Sequence, residues 1–132
     1  QGWTLRVSGC VDTGDPVEDS IFDDSIAILS SYNIPSLTST AFNSIGIAVL
    51  GSDGSAGRPF TVAAPWTKYQ DNGNPFTQGP SGEASVISQQ DIQFPTATGD
   101  CVVTPAASAG AAWFNILLAS GEESNTAFIA MF

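Results

Sequence analysis

The chain has 132 residues, 42% of them hydrophobic and 12% charged, with 13 acids against Arg6, Arg58 and Lys68 for a net charge of −10. A chain of this length suits one domain with its own core, and the composition is not that of a disordered polymer. Clustered cations for a phosphate backbone or an anionic membrane surface are missing, as is any histidine for a Ser-His-Asp or Cys-His nucleophile, so nucleic-acid binding, membrane binding and catalysis are not expected.

Trp3 to Val11 alternates, with Trp3, Leu5, Val7 and Val11 on one side, and reads as a half-buried strand. Asp15, Pro16 and Glu18 carry the spacing of a helix start, which predicts a short helix over 16–24, followed by a strand at 26–30. Asn33-Ile-Pro35 is a breaker. Beyond it the pattern is β: 44–50, ending in the Gly-rich turn 51–57, then 60–64. Residues 70–82, dense in Gly, Pro and Asn, read as a long loop. Strands follow at 83–88, 91–94, 101–104, 111–119 and 126–132, with 120–125 as a hairpin loop. Short strands at this spacing predict an all-β fold: an antiparallel β-sandwich, jelly-roll or Ig-like, with at most one short N-terminal helix. The whole of 1–132 reads as a single β-rich domain with an acidic N-terminal insert at about 12–31.

Segment 111–119 is apolar on both faces, which a strand tolerates when it is central or covered by another subunit. Together with 126–132 it offers Trp113, Ile116, Leu118, Phe128, Met131 and Phe132 as core or assembly contacts.

Six acids fall within residues 12–24. Ca²⁺ takes six to eight oxygens, and Asp12, Asp15 and Asp19 are the ligands such a site would use; the spacing is not that of an EF-hand, and the plainer reading is a solvated acidic face. Trp66, Lys68 and Tyr69 beside the long loop suggest either sugar stacking or ordinary core packing. The Gly-rich stretch 51–57 lacks the Lys-Ser/Thr of a P-loop. Neither a catalytic set nor a cofactor site is expected. Cys10 and Cys101 are either two buried thiols or one disulfide, closing a loop of about 90 residues worth about 4 kcal/mol. The first residue is Gln1 rather than Met; a removed leader together with a Cys10–Cys101 bridge would fit a secreted chain.

Three segments between residues 44 and 120 carry a resemblance: Ile45-Gly-Ile-Ala-Val-Leu50, Ile92-Gln-Phe-Pro-Thr-Ala-Thr-Gly-Asp100 and Ala112-Trp-Phe-Asn-Ile-Leu-Leu-Ala-Ser-Gly121. In these the chain resembles small bacteriophage virion proteins of the tail-fibre, decoration and related structural kinds. It departs from them at Cys101, where an aromatic is common, and in the Ser-Gly-Glu-Glu-Ser-Asn turn that ends at Asn125. Residues 1–43 lie outside the resemblance. It implies a β-rich virion component with no catalytic residues. The expected function is therefore a structural subunit of a virion, an exterior capsid decoration (cement) protein. Its expected partners are capsid or sister subunits, with homo-oligomerisation. The alternatives are a secreted extracellular filament or surface-layer subunit and a carbohydrate-binding module.

Overall fold

The computed structural model describes residues 14–25, 27–53, 59–72 and 83–120. The described residues form nine strands: β1 (Val17–Asp23), β2 (Ile28–Leu29), β3 (Tyr32–Ile34), β4 (Ser44–Asp53), β5 (Thr61–Val62), β6 (Thr67–Asn72), β7 (Glu83–Ile92), β8 (Cys101–Thr104) and β9 (Ala109–Leu118). Among the described residues there is no helix. Two antiparallel sheets pack together as a sandwich. The larger runs β1-β9-β4-β7-β6, with β2 also paired to β9; the smaller is β3-β8-β5.

Strand register sets the core. On β4 the side chains of Ala48 and Leu50 face the small sheet, in line with Asn115 and Trp113 of β9 and with Ser88 and Val86 of β7. Tyr32, Ile34, Phe60, Cys101 and Val103 close on them from the opposite side. A second cluster, Leu37, Ile92 and Leu117, extends the core toward the far end. There residues 36–39 are laced to 96–100: Ser39 N donates to Thr96 O at 2.9 Å and Thr98 N to Leu37 O at 2.8 Å. Asp100 receives Asn33 Nδ2 at 2.8 Å and Ser36 N at 2.9 Å. These two bonds hold its carboxyl below the usual Asp range.

The helix expected over 16–24 is instead the strand β1. Asp15 does cap an amide, but in a tight turn: its Oδ1 accepts Val17 N at 2.9 Å. Glu18 does not fold back to complete a capping box. It is the extra residue of a β-bulge between Val17 and Asp19. Five further residues, Asp19 to Asp23, then pair in register with β9. Val17 and Ile21 share helical spacing, but two residues make too narrow an apolar stripe, and cross-strand pairing with β9 decides.

Other elements differ in extent. The breaker at Asn33–Pro35 overlaps strand β3, which ends at Ile34, one residue before the proline. The stretch 83–88 and the first two residues of 91–94 belong to one continuous strand, β7, which ends at Ile92. The start of the expected loop 70–82 belongs to β6, an edge strand of polar residues with a bulge between Lys68 and Gln70. The expected strands at 3–11 and 126–132 lie outside the described residues.

Candidate assembly surface

One face of the large sheet turns away from the small sheet. Register places Phe22 of β1, Phe114 of β9, Val49 of β4 and Ile87 of β7 in a row across it. The neighbouring row carries Ser20, Ile116 and Ile47, and the next Leu118 and Ile45. Both faces of β9 are therefore apolar. Trp113 and Leu117 point into the sandwich, while Phe114, Ile116 and Leu118 point out of it. Trp113, Ile116 and Leu118 are half-buried, and Phe128, Met131 and Phe132 lie outside the described residues.

Exposure along this face is graded. Ile47 and Ile87 are buried. Toward the β1 and β2 edge the surface opens: Phe114 is 44% exposed, Phe22 74% and Ile28 74%. Ile28 pairs with Gly110 of β9, so it shares the outer side with Phe22 and Phe114. Ile21 and Leu29 stand exposed on the other side of the same edge. Large apolar side chains grouped along an edge strand are uncommon on a free monomer.

Acids border this edge. Asp15, Asp19 and Asp23 turn carboxylate oxygens onto the amides of Val17, Ser20 and Ser25 at 2.9, 2.8 and 2.8 Å. These self-made contacts occupy main-chain donors along β1 and beyond its end. Tyr32 Oη lies within reach of both Ala27 O and Ala109 O, with its one proton shared between the two carbonyls, and so ties Ala27 to the start of β9. At the other end of β1, the Glu18 carboxylate accepts Ala41 N at 2.9 Å, Thr40 N at 3.2 Å and Ser39 Oγ at 3.0 Å. Partial burial pushes the Glu18 carboxyl up, but hydrogen bonds from Ser44, Ser39, Thr40 and Ala41 outweigh it and hold it below the ordinary Glu value.

The calcium reading finds no ligand set: among the described residues no three His, Cys, Asp or Glu side chains gather where they could hold a metal. Asp15 and Asp19 instead serve the β1 backbone, and Asp12 lies outside the described residues. The trio beside the long loop is split. Trp66 is a core residue, 3% exposed, with its indole Nε1 donating to Gly99 O at 3.0 Å; it presents no face for a sugar. Lys68 Nζ donates to Phe60 O at 2.9 Å, and Tyr69 is exposed. Cys101 is a free, buried thiol, and burial pushes its pKa up to about 11, only partly offset by the Ser88 hydroxyl. Cys10, its candidate partner, lies outside the described residues.

Sequence reading missed β1 and β2 as the exposed apolar edge. The signal was Ile21-Phe22 followed by Ile28-Leu29, masked by the acids between and around them. No family model, no curated protein and no solved structure matches the chain.

Proposed function

We propose that this protein is a structural subunit of a virion, an exterior decoration protein that works by burying apolar sheet surface against capsid or sister subunits. The observation that carries the reading is the open edge formed by Phe22, Phe114 and Ile28, whose burial in a contact would remove apolar area from water. The resemblance across residues 44–120 points the same way. The net charge of −10 suits a shell's outside, away from packaged nucleic acid. One observation weighs against the carbohydrate-binding alternative: Trp66 is enclosed rather than offered to a sugar.

The test is immunogold electron microscopy on particles from producing cells, with antibody to the full chain. Label on the exterior of particles is expected. A protein recovered only as a monomer and never with particles overturns the reading.

A further inference from the structure

We infer that the β1–β2 edge docks a different protein, one whose exposed apolar side chains are bordered by Lys or Arg, and not a second copy of this chain. The inference rests on the assembly reading and specifies its partner. Phe22, Phe114 and Ile28 supply the apolar centre. Asp15, Asp19, Asp23 and Asp24 supply the border, and none of them meets a cation among the described residues. The one cation there, Lys68, sits on β6 at the opposite edge of the sheet.

A symmetric dimer through this edge sets acid against acid in the register centred on Ile21. Two β1 strands paired about a two-fold axis near Ile21 place each Asp19 opposite an Asp23, two like-charged pairs at the centre of the contact. A cationic border meets the same carboxylates with opposite sign, giving both attraction and a fixed register. The partner's own hydrophobic side chains then cover Phe22 and Phe114.

The experiment titrates the full chain with two acetylated octapeptides, one alternating Lys and Phe, the other Glu and Phe. The Lys peptide is expected to bind at least about tenfold tighter, and its binding to weaken with salt. Phe22→Ser, and separately Asp19→Asn with Asp24→Asn, should each weaken binding by about fivefold or more, while Asp91→Asn, which removes one charge elsewhere, leaves it unchanged. Because Phe22 and Asp24 are exposed, circular dichroism should show these variants folded.

Equal binding of the two peptides, or equal loss with Asp91→Asn, overturns the inference as mere bulk charge attraction. So does a dimer of the free protein that Phe22→Ser dissolves, which makes a second copy the occupant. Protection of Phe22 and Phe114 from hydroxyl radicals in the isolated monomer also overturns it. Particle association that survives both sets of variants defeats this edge but leaves the assembly reading standing; loss of particle association in the wild type defeats that reading, and peptide binding then still reports on the edge.

Discussion

Gly46 lies so close beneath Trp66 that a Cβ at position 46 would stand 2.9 Å from the indole Cη2. The Trp66 ring covers β4 at Gly46, the one residue of that strand's inner face without a side chain, and its Nε1–H reaches across to Gly99 O. Gly99 itself has φ +72°, a conformation that favours glycine, so both ends of the indole rest on glycines.

Gly46→Ala should therefore cost about 1–3 kcal/mol by overpacking, read as a fall in the urea midpoint. Trp66→Ala should cost about 3–5 kcal/mol through the cavity it leaves. The double variant should be less unstable than the sum of the two, because the added methyl occupies part of the vacated volume. Strict additivity would show that the two residues do not press on each other.

Glu18 ties the β1 bulge to residues 39–41 through its carboxylate. Its pKa is held below the unfolded value, so the native state holds fewer protons than the unfolded one as pH falls through the carboxylate range. Stability from this contact is present above the unfolded pKa and is lost as pH falls through the folded one. Glu18→Gln should cost about 1 kcal/mol at neutral pH, solvent screening keeping it small, and should flatten the acid limb of the stability curve. An unchanged acid limb would count against the role.

Cys101 titrates near 11, above its unfolded value. Between the two values the native state retains a proton that the unfolded state releases, so stability falls as pH rises through that window. Cys101→Ala should remove this alkaline slope, about 2–3 kcal/mol across the window. Reaction of the native thiol with a disulfide reagent should be slow and should quicken on addition of urea. Immediate labelling of the native protein would contradict the burial.

Asn115 sits at the centre of β9, fully buried, with Nδ2 donating to Pro35 O at 3.0 Å and Oδ1 without a protein partner. Asn115→Asp keeps the shape but turns an oxygen toward the Pro35 carbonyl. At pH 7 that buries an unpaired charge, with an expected loss of about 3 kcal/mol or more. A protonated carboxyl restores a donor, so the defect should shrink in acid, the sign expected for a raised carboxyl pKa. Equal loss at both ends of the pH range would rule out this account.

The all-β class was legible in the chain because period-two patterning and Gly/Pro punctuation are local signals. They placed β4 through Leu50, β8 over Cys101–Thr104 and β9 close to its observed ends. The apolarity of β9 on both faces was equally visible, since Trp113 and Leu117 alternate with Phe114, Ile116 and Leu118. The edge surface was not legible, because Phe22 and Ile28 come to share one outer face only by pairing along the same side of β9.

What the amino-acid order determined by itself was the strand-forming tendency, the acidity and the lack of histidine chemistry. Tertiary structure decided the rest. It made a strand of Val17–Asp23 by supplying β9 as a pairing partner, where local capping signals favoured a helix. It put Trp66 inside rather than on a rim, because Gly46 leaves room for the ring. The physical reason is common to both: cross-strand pairing and burial join residues dozens of positions apart, and no local period records which strand will lie beside which.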